Sequence, residues 1–248
     1  MPVGSTTAAG TVLDSPRLRR TEPAPDKEYA RPMETGDLLV AAALLAIAYV
    51  AGSVPFGVLV ARVIGAPDPR EVGSGRTGGT NALRAMGRKP ALAVVAGDVL
   101  KGALPVLLAR FVTGDPVVEV ACGAAAIVGS THSMFLGFHG GRGVGTSVGT
   151  MAVVFPLAIA AAAPVFVILI VLTRFVSFGS LAAIATGALT VVVWWWLSDG
   201  AVVVAYPLYA LLGTVLVWVA HADNIARLLN GTERRFDLGL LGRDKPGR

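Results

Sequence analysis

The chain has 248 residues, 54% of them hydrophobic and 15% charged, with a formal net charge of +5 at pH 7. With a mean hydropathy of +0.68, it is too apolar and too charge-poor for an ordinary soluble domain, which leaves the integral membrane class. The arginines stand beside apolar segments rather than in one patch with interleaved aromatics, so nucleic acid is excluded as a partner, while anionic lipid and phosphate remain.

Residues 1–34 are rich in Pro, Ser, Thr and mixed charge, have no apolar secretory core, and read as a disordered tail before a membrane domain at 35–233. A helix needs about 20 apolar residues to cross a bilayer. The first crossing is predicted at 37–64, bent or interrupted at Pro55. Residues 65–89 then form a loop of prolines and glycines that carries Arg70, Arg76, Arg84 and Arg88.

The second crossing, 90–112, contains Asp98 and Lys101 at i and i+3, on one helical face. A charge in mid-membrane costs roughly 2.5–3.5 kcal/mol on insertion scales, so the pair is expected to face the bundle interior, as a self-neutralising pair or as a functional cation. A third crossing at 116–129 leads into the polar run 137–146, Gly-Phe-His-Gly-Gly-Arg-Gly-Val-Gly-Thr. The 30 residues of 144–173, interrupted by Pro156 and Pro164, are long for one crossing and short for two. If the basic loop and the basic tail at 234–248 both lie inside, the positive-inside rule requires two.

Crossings at 181–197, ending in Trp194-Trp195-Trp196, and at 201–219 complete the set, followed by an interfacial helix from His221. Apolar runs that are hydrophobic on all sides exclude a membrane β-barrel. The fold class is therefore an all-α integral membrane protein, a bundle of about seven transmembrane helices with the N-terminus outside and the C-terminus cytoplasmic. Cys122 is the only cysteine and the three histidines, His132, His139 and His221, sit at segment ends, so no metal or other cofactor is expected.

On this topology the loops 73–84, 137–146 and 221–233 converge on one membrane face. Glycines at 140, 141 and 143 let backbone N–H groups approach an anion, and Arg142 supplies a forked cation beside them. Ser74, Thr80, Asn81 and Arg84 bring hydroxyls, an amide and a guanidinium together, which suits a small polyhydroxylated anion. His221, with Asn224 at i+3, offers a proton-transfer group. Singly, each admits a plainer reading: a flexible loop, a helix cap at Ser74, a lipid anchor at Arg84, a hydrogen-bonded helix end at His221. Together, with Lys101 in reach, they read as a site.

The runs Gly52-Ser53-Val54-Pro55-Phe56-Gly57, Gly73-Ser74-Gly75, Gly78-Gly79-Thr80-Asn81-Ala82-Leu83-Arg84, Gly97-Asp98-Val99-Leu100-Lys101-Gly102, Gly140-Gly141-Arg142-Gly143-Val144 and His221-Ala222-Asp223-Asn224-Ile225-Ala226-Arg227 follow one another in order. This series resembles the acyl-phosphate:glycerol-3-phosphate acyltransferases of bacterial membranes. The resemblance implies a seven-helix, multi-pass protein of the bacterial inner membrane that moves a fatty acyl group from acyl phosphate to the sn-1 hydroxyl of glycerol 3-phosphate. The products would be lysophosphatidic acid and phosphate, made without metal or coenzyme A thioester.

It also implies catalytic roles for Ser74, Arg84, His221 and Asn224. Substrate binding falls to Thr80, Asn81, Lys101, Gly140, Gly141, Arg142 and Gly143, and a structural role to Glu233. The chain departs from the family's usual residues with Arg76 for Asn, Gly79 and Gly145 for Ala, His139 and Arg142 for Lys, and Ser130 for His. Residues five positions after the histidines are Gly137, Val144 and Ala226, so the His-to-Asp spacing of thioester-dependent glycerol phosphate acyltransferases is absent. The rival readings are a transporter or channel for phosphorylated metabolites, and a weakly active homologue.

Overall fold

The computed structural model describes Met1 and residues 34–199 and 201–242, and no strand occurs among them. It divides the chain into two compact units, Met1–Glu34 and Thr35–Arg248, of which the second carries all that follows. The expected disordered tail at 1–34 lies almost entirely outside the described residues, as does 243–248 of the basic tail.

The helices are α1 (Thr35–Ser53), α2 (Phe56–Ile64), α3 (Gly79–Met86), α4 (Arg88–Thr113), α5 (Pro116–Thr131), α6 (Val144–Val154), α7 (Pro156–Thr173), α8 (Val176–Leu197), α9 (Ala205–Ala220) and α10 (Ala222–Leu229). Membrane-length segments begin at α1, α4, α5, α7 and α8, and α9, which bends by 66° into α10, is a shorter apolar helix. The outer faces expose large apolar side chains such as Leu38, Leu104, Phe111, Leu172, Leu189 and Val219, a pattern that only a lipid surround makes favourable.

Local chemistry explains the boundaries. Pro55 has no N–H to donate and separates α1 from α2, as the sequence predicts. Asp115 caps α5 by accepting from the Val117 N–H, with Pro116 at the first helical position. The region 144–173 does hold two helices, joined at Phe155, with Pro156 opening the second. One boundary differs: α8 starts at Val176 rather than near 181, because the turn after α7 needs only Arg174, at φ 64°, and Phe175. That extra turn carries Ser177 and Ser180 into the site.

Without a hydrophobic driving force between helices in lipid, close backbone approach decides the packing. At the α4–α6 crossing a Cβ on Gly102 would lie 2.2 Å from the Thr146 carbonyl oxygen, and one on Gly149 would lie 1.9 Å from that of Val99. The α1–α5 crossing repeats the arrangement, with Gly52 against Ala126 and Gly129 against Tyr49. Gly149→Ala must push α6 off α4, an overpacking expected to cost about 1–3 kcal/mol. Its thermal midpoint in detergent should fall well below that of Gly187→Ala, whose added Cβ meets nothing nearer than 3.7 Å; equal midpoints would contradict the close-packed crossing.

Candidate active site

Lys101 shows how the fold prepares a polar site inside an apolar bundle. The break at Pro55 removes the carbonyls of Ser53 and Val54 from the helical ladder. The Val54 carbonyl accepts from Lys101 Nζ at 3.1 Å, and that of Ser53 accepts from Ser133 Oγ at 2.6 Å. Asp98 completes the lysine's surroundings at 2.7 Å, as the i and i+3 spacing predicts. The ammonium, only 7% exposed, is thus held at the wall of a cavity of about 340 Å³.

The first loop is built around Asn81, which is buried at the start of α3. Its Nδ2 donates to Ser74 Oγ (3.1 Å) and to the Arg76 carbonyl (2.9 Å), while its Oδ1 accepts from the Ser74 N–H (3.4 Å) and from Arg84 Nη1 (3.1 Å). Two donors and two lone pairs are the amide's whole capacity. From the cavity wall, Asn81 thus holds Ser74 and Arg84 in place. Gly73, at φ 60°, makes room for this, since a Cβ there would stand 2.5 Å from Asn81 Oδ1 and 2.6 Å from Arg84 Nη1.

The glycine loop divides in two. Gly140 and Gly141 donate their N–H groups to the carbonyls of Thr131 and Ser130, tying the loop to the end of α5. Gly140 faces that helix end and, unlike Gly141 and Gly143, is not among the residues that line the cavity. Its carbonyl accepts from Arg76 Nη1 at 3.2 Å. Gly143, at φ 77°, turns the chain into α6, and Gly143, Val144 and Gly145 bring that helix's N-terminus to the cavity wall. First-turn N–H groups and the helix dipole favour an anion there.

His221 sits at the break beyond membrane-spanning α9, where α10 turns away. Its Nδ1 lies 2.8 Å from the Val217 carbonyl. A carbonyl only accepts, so Nδ1 carries the proton and Nε2 keeps its lone pair. Burial above all pushes the imidazole down to about 4, with the Arg142 charge acting the same way and the Val217 bond opposing. His221 is therefore neutral near pH 7.

Asn224 donates Nδ2 to Glu233 Oε1 at 2.6 Å, and its buried Oδ1 has no partner among the described residues. Glu233 also accepts from Ser177 Oγ (2.9 Å) and Arg227 Nε (2.8 Å). Arg142 is bidentate on Asp223, at 2.9 and 3.0 Å. Burial pushes that carboxyl up, but the Arg142 charge and the bonds from Arg227 and Arg142 hold it below its ordinary value.

Ser74, Thr80, Asn81, Arg84, Lys101, Gly141, Arg142, Gly143, His221 and Asn224 all line the one cavity. Sequence reasoning missed Thr77, Ser177, Ser180 and Arg234 as lining residues, and gave Arg76 no role beyond its departure from the family. The i, i+3 serines at 177 and 180 beside an apolar run were the available signal. Five cations, Arg76, Arg84, Lys101, Arg142 and Arg234, face two carboxylates, Asp98 and Glu233, so the cavity is built for an anion. A second cavity of about 190 Å³, almost wholly apolar, shares Val144, Val148, Phe166 and Ser180 with it and continues between α6, α7, α8 and α9. Among the described residues no cluster of metal-ligating side chains occurs.

Residues 42–231 match the family model described as glycerol-3-phosphate acyltransferase. The glycerol-3-phosphate acyltransferase of Geobacter sulfurreducens is 43% identical over 197 residues, covering 78% of this chain and 96% of that protein. That of Myxococcus xanthus is 43% identical over 200 residues, covering 78% and 98%. The crystal structure of an integral membrane glycerol 3-phosphate acyltransferase in its glycerol 3-phosphate form superposes with a TM-score of 0.73 at 34% identity, covering 82% of this chain and all of that one. Its lysophosphatidic acid form gives 0.71. The chain is thus a multi-pass membrane protein and belongs to the glycerol-3-phosphate acyltransferase family.

Proposed function

We propose that the protein transfers a fatty acyl group from acyl phosphate to the sn-1 hydroxyl of glycerol 3-phosphate in a bacterial inner membrane, releasing lysophosphatidic acid and phosphate. The observation that carries this reading is the pair of adjoining cavities: a polar one with five cations against two carboxylates, and an apolar one sharing four wall residues with it. Two phosphates and a hydroxyl-bearing carbon chain suit the first, and an acyl chain suits the second. The same ordering supports seven crossings, with α1 and α2 counted as one and α6 as a short one. α1 then enters the membrane from outside, and the site and C-terminus are cytoplasmic, with 35–233 as the catalytic domain and 234–248 as a basic tail.

In the reaction the glycerol oxygen forms a C–O bond to the acyl carbon, the bond from that carbon to the phosphate oxygen breaks, and phosphate leaves with the bonding pair. Lys101, Arg84, Arg142 and the α6 N-terminus hold the phosphates and neutralise the charge that grows on the leaving group. The free Asn224 Oδ1 accepts from the attacking hydroxyl, and His221 Nε2 takes its proton as the bond forms. Ser74 and Thr80 orient the glycerol from the opposite wall.

Purified protein given palmitoyl phosphate and labelled glycerol 3-phosphate should yield lysophosphatidic acid, and palmitoyl-CoA in its place should yield none; product from the thioester alone would overturn the donor. His221→Ala should lower kcat by about 10²–10⁴-fold, the usual share of a positioned base. Because the neutral imidazole is the active form and burial lowers it to about 4, it stays active through the interval between 4 and its ordinary 6.5. The acid limb of kcat assigned to it should therefore lie near 4, and a limb near 6.5 that disappears in His221→Ala would contradict the buried neutral histidine.

Gly187, in the wall of the apolar cavity, has space beside it that a bulkier side chain would fill. Gly187→Phe should shift preference from palmitoyl towards shorter acyl phosphates while the KM for glycerol 3-phosphate holds. An unchanged chain-length profile would place the acyl chain elsewhere.

A further inference from the structure

Arg234 lies three residues beyond the region that matches the family model, yet it lines the polar cavity together with Arg84. Among the described residues no carboxylate pairs with either guanidinium. Arg84 donates to Asn81 Oδ1, and Arg234 makes no hydrogen bond or ion pair among them. The two cations sense each other: after burial, the Arg234 charge is the next influence that pushes the Arg84 guanidinium below its ordinary value, with Glu233 opposing. Glu233 opposes this repulsion only at a distance, since its oxygens bond to Ser177, Asn224 and Arg227 rather than to either guanidinium.

Arg234 is exposed, so water screens part of this repulsion, and an anion seated between the two guanidinium groups would remove it. The chain also spends structure on holding them there. On one side of Arg234, Glu233 is fixed by its three donors. On the other, Phe236 is 7% exposed and packs into the cluster formed by Ala82, Leu83 and Met86, residues of the helix that carries Arg84. The Phe236 N–H donates to the Arg174 carbonyl at 2.6 Å, and the Arg235 guanidinium stands 5.9 Å over the Phe175 ring. The tail is thus registered against α3, so that Arg234 and Arg84 face a common space.

We propose that Arg234 and Arg84 form a two-guanidinium clamp for a phosphate group of a substrate, with Phe236 as the anchor that sets the clamp's register. Planar forks from two sides match the three non-bridging oxygens of a phosphate monoester or acyl phosphate, where a single ammonium would act only as a point charge. The inference rests on the reading that the site takes phosphorylated substrates, and it adds a binding residue from the tail.

Full-length protein carrying Arg234→Gln should show a KM raised about ten- to a hundred-fold for one substrate, as expected for loss of one charge-assisted contact, with kcat far less affected. Glycerol 3-phosphate and palmitoyl phosphate are varied in turn: whichever KM rises identifies the phosphate that is clamped. Arg234→Lys should recover part of the loss, because it keeps the charge without the fork, and Phe236→Ala should raise the same KM as Arg234→Gln. A turnover-independent check is the thermal midpoint, which glycerol 3-phosphate or inorganic phosphate should raise in the wild-type chain and raise less in Arg234→Gln. Both KM values within twofold of wild type, together with unchanged midpoint shifts, would overturn the clamp. So would unchanged KM values with weakened binding to vesicles containing anionic lipid, which would make Arg234 a headgroup anchor. A wild-type chain that forms no product yet shows the phosphate-induced midpoint shift, lost in Arg234→Gln, would overturn the proposed reaction and leave the clamp standing.

Discussion

A lysine ammonium inside an apolar helix bundle is the constraint on which this architecture turns. Its charge is tolerated only because three things meet at one place: the Asp98 carboxylate one helical turn away, the Val54 carbonyl released by Pro55, and a cavity open to a charged ligand. The proline is therefore more than a kink. By interrupting the first crossing at the depth of Lys101, it supplies an acceptor at a level where a continuous helix offers none. The same interruption frees the Ser53 carbonyl for Ser133, which fixes the start of the segment leading to the glycine loop.

The rest of the site is arranged by groups that are themselves unavailable to a ligand. Asn81 saturates its amide to hold Ser74 and Arg84, Gly140 and Gly141 use their N–H groups to hold the loop on α5, and Glu233 gathers three donors to aim Asn224. The groups left open towards the cavity include a histidine Nε2, an amide Oδ1, a helix N-terminus and the Arg84 and Arg234 guanidiniums. Acceptors for a hydroxyl proton face donors for an anion. That pairing is what nucleophilic attack by an alcohol on an activated acyl group requires; with the proposed acyl phosphate donor, which supplies its own leaving group, the protein's task is chiefly placement.

Much of this was legible in the residues. Hydropathy located the long apolar helices because lipid imposes a length on them, and Pro55 and Pro156 mark the breaks in 37–64 and 144–173, whereas Pro164 lies within α7. Ten of the eleven assigned site residues line the cavity, since cations, glycines and a histidine in a membrane protein have few other reasons to cluster. The division of labour among them was not legible. Whether Asn81 touches substrate or its neighbours depends on four hydrogen bonds whose partners lie within seven residues, a matter of loop geometry and not of composition. Gly140 differs from Gly143 by which way its backbone faces, and Ser177 meets Glu233 across 56 positions of sequence. Neither leaves a trace in a linear pattern.

The apolar cavity raises a last question of access, which the helix burial answers. Of the helices around it, α7 buries only Ala158, although it contributes Ile159, Ala162, Ala163 and Phe166 to the cavity wall. Its packing is chiefly against α8, and its other face is apolar and exposed, including Val167, Ile168, Val171 and Leu172. The wall between cavity and bilayer is therefore one helix thick on this side, with Pro164 removing a backbone hydrogen bond near its middle. A water-soluble substrate approaches through loops rich in arginine, where its charge is welcomed. On the proposed function, an acyl chain dissolved in the bilayer meets the other boundary, a single apolar helix with Ala162 and Ala163 on its inner face. On that reading the two reactants of the transfer are separated by solubility until they meet where the cavities share Val144, Val148, Phe166 and Ser180.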